Sequence, residues 1–151
     1  MIMITTGHVV AVNVSAGGIP KRPLPAGTIR KSGLEGDGHA HVKHNRSDRA
    51  LSLFDTEIMQ DLLTEGFPIT PGVMGENLAL EGLLVQRLPP GTLLRIGEAV
   101  VRLEQPRKPC YVLDAIDPRL KDNCIGRCGF MASVVEEGTV RPGDVVQVLD
   151  C

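Results

Sequence analysis

"VRPGDVVQV", residues 140 to 148, sets a Pro-Gly turn directly ahead of a β-branched run. Proline pre-sets the first corner of a tight turn, and glycine accepts the positive φ at the next position. Val145, Val146 and Val148 then favour a strand. The stretch reads as the last hairpin of a β barrel.

The same punctuation recurs upstream. Gly and Pro clusters stand at "AGGIPKRPLPAG", "SGLEGDGHA", "EGFPITPGVMGEN" and "LPPGTLLRIGE". Between them lie short apolar segments: "HVVAVNVS", "ALSLFD", "NLALEG", "LLRIG", "AVVRLEQ" and "FMASVVEE". Many short strands separated by frequent turns predict a mainly β, barrel-like fold with one or two short helices. The pattern leaves the strand order open. One helix is expected in "FDTEIMQDLLTEGFP", with Asp55 capping the first turn and Glu57 suiting its positive end. Ile58, Met59, Leu62 and Leu63 give the apolar face, and Gly66 with Pro68 ends the helix. Residues 16 to 27, rich in Gly and Pro, read as an excursion over the surface. Residues 114 to 129 carry no dominant period.

The 151 residues are expected to form a single domain, residues 1 to 151. A net charge of -2 offers no large basic excess to neutralise phosphates, and with no Trp, one Tyr and three Phe there is little to stack on bases. A nucleic-acid partner is therefore not expected. No apolar run approaches the roughly 20 residues of a membrane helix. The N-terminal "MIMITTGHVVAVNVS" has no basic flank and reads as a first strand. A cytoplasmic protein with Cys110, Cys124, Cys128 and Cys151 as reduced thiols is expected.

Three features can carry chemistry. In "GDGHAHVKH", residues 36 to 44, His39, His41 and His44 spell H-x-H-x-x-H. Imidazoles so spaced suit zinc or iron, which makes a metal-dependent hydrolase one reading. The pattern resembles the metallo-β-lactamase signature, but Lys43 stands where that signature needs an acid, and a cation there repels metal. The other reading is a polar loop whose histidines hydrogen-bond backbone or an anion. In "PGVMGENL", residues 71 to 78, glycines allow close backbone approach while Glu76 and Asn77 offer specific hydrogen bonds. A plain turn between strands explains the same letters.

The third feature is "EQPRKPCYVL", residues 104 to 113. Arg107 and Lys108 favour a thiolate at Cys110, while Pro106 and Pro109 stiffen the approach and argue against a regular central strand. Free cysteines are also among the most buried residues, so a core role competes with a reactive one. Cys124 and Cys128 have a C-x-x-x-C spacing without a second pair, a weak signal for zinc.

In order, these motifs resemble the MOSC domain family, named from the C-terminal domain of molybdenum cofactor sulfurases. The match runs from "GLEGDGHAH" through "PGVMGENL" and "QPRKPC" to "VRPGDVVQV", about residues 6 to 149. The chain is similar to the short stand-alone bacterial members. The resemblance implies a barrel-like fold that binds the molybdenum cofactor (molybdopterin), with Cys110 as molybdenum ligand or persulfide carrier. It implies a reductase of N-hydroxylated compounds, a sulfurtransferase, or a module that only carries the cofactor. Arg49, Arg107 and Lys108 would suit the pterin phosphate. Gly36, Asp37, His39 and His41, with Gly75, Glu76 and Asn77, would line the same pocket. No Schiff-base lysine context is present, so pyridoxal phosphate is not expected. An electron-donor protein or a cysteine desulfurase is the implied partner. Oligomeric state is left open.

Overall fold

The structure, a computed structural model, describes residues 5–17, 19–38 and 50–149. The described residues form strands β1 (Thr6–Val14), β2 (Arg22–Leu24), β3 (Gly27–Arg30), β4 (Gly33–Leu34) and β5 (Leu51–Asp55). Helix α1 (Thr56–Thr64) leads to β6 (Leu78–Glu81), β7 (Leu93–Ile96) and β8 (Ala99–Pro106). Helix α2 (Leu120–Asn123), β9 (Phe130–Glu136), β10 (Gly138–Val140) and β11 (Val145–Leu149) complete the set. Short 3-10 turns occupy Val85–Arg87 and Tyr111–Ala115.

Strands β11, β7, β8, β9, β5, β6 and β1 pair in that order, and β1 returns to β11, closing a seven-stranded barrel. Closure removes free sheet edges. Every step is antiparallel except β5 to β6, which is parallel. A parallel step needs a long crossover, and residues 56 to 77 supply it. That crossover holds α1 and then delivers "PGVMGEN" to the start of β6.

Barrel register explains how distant motifs meet. Leu53 pairs with both Leu78 and Phe130, Val12 pairs with Leu78, and Pro106 pairs with Phe130. These residues make one row around the wall. Asn13, Asn77 and Arg107 each lie one residue from that row.

Two apolar clusters flank the wall. Val12, Leu51, Leu53, Leu94, Val101 and Phe130 belong to the larger one. Phe54, Met59, Leu62, Met74 and Leu113 belong to the second, which α1 and α2 join. Strand β5 contributes to both, so all five of its residues are buried. A strand covered on both faces is buried along its whole length, and here that includes the polar Ser52 and Asp55.

The mainly β barrel and its short helices agree with the sequence reading, and four details differ. The Pro-Gly turn at Arg141–Asp144 is present, with Asp144 N–H on the Arg141 carbonyl at 3.0 Å. It joins strands of different sheets, however: β10 pairs with β3 and β11 with β1 and β7, so it is no hairpin. Asp55 makes no side-chain cap on α1. Its carboxylate instead accepts the Val85 and Gln86 N–H groups at 2.8 and 2.9 Å. Burial raises its pKa to about 6 in spite of those two bonds, and the charge of Glu57 adds to the rise. Leu63 is exposed, because the helical stripe of Ile58, Met59 and Leu62 already fills the contact with the barrel. Residues 16 to 27 are no free excursion: β2 pairs with β1, and the Lys21 N–H bonds the Gly72 carbonyl at 2.8 Å. Among the described residues no helix is long and apolar enough to cross a membrane.

Candidate functional site

Asp37 is the centre of the first half of the site. Its Oδ1 accepts the Ser15 N–H at 2.9 Å and Lys21 Nζ at 2.8 Å, and its Oδ2 accepts Asn77 Nδ2 at 2.9 Å. The Lys21 and Asp37 side chains are only 9% and 5% exposed. A buried ion pair is retained when each charge has further hydrogen bonds, and Asp37 has them.

Asn77 then ties three strands together. Its Oδ1 accepts the Ser52 N–H of β5 at 3.1 Å, and its Nδ2 also reaches the Asn13 carbonyl of β1 at 3.3 Å. Asn13 Nδ2 returns a bond to the Glu76 carbonyl at 3.3 Å. Ser52 Oγ donates to the Gly75 carbonyl at 3.2 Å. Few side chains other than asparagine offer both a donor and an acceptor at this reach.

Glu76 is 1% exposed. Its Oε2 accepts the Gly72 N–H at 2.9 Å, whereas Oε1, like Asn13 Oδ1, has no hydrogen-bond partner among the described residues. Burial raises the Glu76 pKa to about 7, against the Gly72 N–H and the charges of Arg107 and Lys21. Gly72 itself has φ +90, and a Cβ there would run into the Lys21 carbonyl oxygen. The position therefore needs glycine twice over, for its backbone angle and for space.

Arg107 forms the second half. Its guanidinium donates to the Met74 carbonyl at 2.5 Å, and a Cβ on Gly75 would lie 3.6 Å from its Nη2. Its backbone N–H rests on the Gly129 carbonyl at 2.8 Å. Gly129 is held in turn by Gln86 Oε1 at 2.7 Å, and the Gln86 N–H by Asp55. A buried carboxylate on the far side of β5 thus fixes the chain just before Cys110. Cys110 is half-buried, and its carbonyl accepts the Leu113 N–H at 3.1 Å as the 3-10 turn begins. Lys108 is exposed on the same loop.

Of the residues singled out from sequence, the structure brings together Asp37, Gly75, Glu76, Asn77 and Arg107. Gly36 is adjacent and exposed, and Cys110 and Lys108 follow Arg107 on the pinned loop. His39, His41, His44 and Arg49 lie outside the described residues. Among the described residues no group of three or more His, Cys, Asp or Glu could hold a metal ion. Sequence reasoning missed Asn13, Lys21, Ser52 and Asp55 as supports of the site. The one available signal was Asn13, a lone amide inside the apolar "HVVAVNVS".

The MOSC domain model matches residues 40–147. With the barrel and the paired motifs in place, the chain belongs to the MOSC domain family. It is 34% identical over 141 residues to YflK, an uncharacterized protein of Bacillus subtilis, covering 87% of this chain and 63% of YflK. It is 36% identical over 123 residues to the Escherichia coli protein YiiM, covering 74% of this chain and 54% of YiiM. A Gibberella moniliformis protein named a reductase is 27% identical over 128 residues, covering 79% of this chain and 23% of that protein. The chain thus spans less than two thirds of the length of each of these relatives. Among crystal structures, YiiM from Geobacillus stearothermophilus superposes with a TM-score of 0.74 at 26% identity, over 98% of this chain and 75% of that one. The YuaD protein of Bacillus subtilis shares the fold at a TM-score of 0.80 and 20% identity, over 95% of each chain.

Proposed function

We propose that this chain binds the molybdenum cofactor and that Cys110 is its ligand to molybdenum, in the service of reducing N-hydroxylated compounds. The observation that carries the reading is the placement of Cys110. It is a half-buried soft donor, on a loop pinned on one side by Arg107 on Gly129 and on the other by its own carbonyl.

The donor set fits such a group. Thiolate sulfur suits a soft metal, while Lys108 and the remaining guanidinium donors of Arg107 suit a phosphate. When bound, the cofactor supplies a metal centre able to pass two electrons. The chain's own contribution is to hold the thiol and cations in one geometry. Asp55, Gln86 and Gly129 position the loop, and Arg107 locks it to the Gly-Glu-Asn turn through Met74. Glu76 can store or release a proton near neutral pH beneath that turn. Membership of the MOSC family and a relative named a reductase support the reading. An electron-donor protein would complete it.

The test is molybdenum content and pterin fluorescence of the chain produced in a host that makes the cofactor, compared with Cys110→Ser. The expected result is bound molybdenum in the parent and a loss of more than tenfold in the variant, with an unchanged melting curve. Full molybdenum retention and reductase activity in Cys110→Ser would sink the proposal. A reductant-labile extra sulfur on Cys110 instead of retained molybdenum would favour the sulfur-carrier role, for which a cysteine desulfurase is the partner.

A further inference from the structure

Cys124 and Cys128 form a second thiol site, on the outer face of the barrel. Cys124 follows α2 directly, its N–H on the Leu120 carbonyl at 2.9 Å. Arg127 N–H then bonds back to the Cys124 carbonyl at 3.0 Å, closing a tight turn that returns Cys128 towards Cys124. Both side chains are fully buried, both are free, and both pack in the cluster with Phe54, Leu113 and Leu120. The Cys124 thiol reaches the Lys121 carbonyl at 3.9 Å, and each of the two thiols shifts the other's protonation.

We propose that Cys124 and Cys128 are a reversible disulfide site, closed by hydrogen peroxide and reopened by a dithiol reductant. Two thiols four residues apart, on either side of one hydrogen-bonded turn and in one buried cluster, need little backbone movement to join. Burial ordinarily shields a thiol, but here only a turn of chain has to open, and not the barrel. Ile125 within it is 70% exposed. Apart from the two buried cysteines, the turn meets the residue that follows α1 through a surface ion pair, Arg127 to Glu65 at 2.6 Å. Short surface segments of this kind open at far lower cost than a core strand.

The two sulfurs have different tasks. The Cys124 hydrogen bond, with Arg107 assisting, draws the Cys128 pKa down to about 7 against burial and the charge of Glu76. The same shared proton pushes the Cys124 thiol far up. Cys128 thiolate therefore attacks the peroxide oxygen: a sulfur–oxygen bond forms, the oxygen–oxygen bond breaks, and hydroxide leaves to become water. Cys124 sulfur then attacks the Cys128 sulfenic acid. The sulfur–sulfur bond forms, the sulfur–oxygen bond breaks, and hydroxide departs with the Cys124 proton as a second water. Two thiols lose two electrons and one peroxide gains them.

Arg127 lies between the two cysteines, which makes the bond easy to see. The full chain carrying Cys110→Ser and Cys151→Ser is reduced, treated with hydrogen peroxide at neutral pH, and cut with trypsin. The peptide Asp122–Arg127 and the peptide that begins at Cys128 are expected as one linked species that dithiothreitol separates. Adding Cys124→Ser should leave Cys128 as a sulfenic acid trapped by dimedone. Adding Cys128→Ser should leave Cys124 unoxidised. Separate peptides with intact thiols, under peroxide that fully oxidises Cys110 in the parent chain, would overturn the proposal. So would linkage that forms only in denaturant.

Discussion

Asn77 Nδ2 lies 2.9 Å from Asp37 Oδ2, and that bond joins the Gly-Asp-Gly turn to the Gly-Glu-Asn turn across 40 residues of chain. Lys21 on one side of the bond and Ser52 and Asn13 on the other make it part of a fixed floor.

That floor should respond as a unit. Asp37→Ala leaves the nearly buried Lys21 ammonium without its partner, a change expected to cost about 3 kcal/mol. Lys21→Ala strands the carboxylate in turn. Because both singles break the same pair, the double variant should fall short of their sum by at least about 1 kcal/mol. Urea unfolding of the four proteins measures the coupling, and strict additivity would remove the pair from the site's support.

Glu76 sets a pH dependence of stability with a defined sign. Its folded pKa, about 7, lies above the ordinary 4.5. Below pH 4.5 the carboxyl is protonated in both states and its burial is tolerated. Between 4.5 and 7 the unfolded chain releases a proton that the folded chain keeps, so stability falls as pH rises, by about 3 kcal/mol in all. Above 7 the loss is complete. Asp55, raised to about 6, adds a decline of the same sign that ends at lower pH. Glu76→Gln keeps an oxygen for the Gly72 N–H and should abolish the upper part of the decline, between pH 6 and 7. Chemical denaturation from pH 4.5 to 8 reads it directly.

How much of this was legible follows from where each signal lives. Long apolar runs bounded by turns, such as "AVVRLEQ" and "DVVQVLD", declare a strand by themselves, and β8 and β11 are there. Strands β2 and β4 span three and two residues, one holding a proline and the other a glycine, and only their pairing with β1 and β3 makes them strands. The Gly-Glu-Asn turn was visible because three specific residue types stand together. Lys21 was not, since a lysine in a Gly/Pro-rich segment looks solvated until the fold sets it against Asp37. Asp55 misled for a local reason: Asp before a helix normally caps it, and the competing donors on Val85 and Gln86 are 30 residues on.

Two glycines of the site should separate backbone strain from collision. Gly36 has φ +87, and a Cβ there would meet nothing within 4 Å, so Gly36→Ala incurs only the left-handed penalty, about 1 kcal/mol. Gly72→Ala at φ +90 adds the clash with the Lys21 carbonyl and should cost more than about 2 kcal/mol. It should also weaken the Lys21–Asp37 coupling, which Gly36→Ala leaves intact. Equal losses at the two positions would mean that Lys21 moves aside freely.

Cys128 offers a titration that ranks its neighbours. The Cys124 hydrogen bond is the largest influence drawing its pKa down to about 7, and the Arg107 charge is a smaller one. Cys124→Ala removes the bond entirely, leaving burial to push the thiol upward. Arg107→Gln removes the charge but keeps the bond. The expected order of Cys128 pKa is therefore Cys124→Ala highest, Arg107→Gln between, and the parent chain lowest. Iodoacetamide reaction rate against pH, followed on the peptide that begins at Cys128, gives each value. If Arg107→Gln shifted Cys128 more than Cys124→Ala did, the guanidinium and not the shared proton would govern this thiol, and Cys124 would lose its claim as the resolving partner.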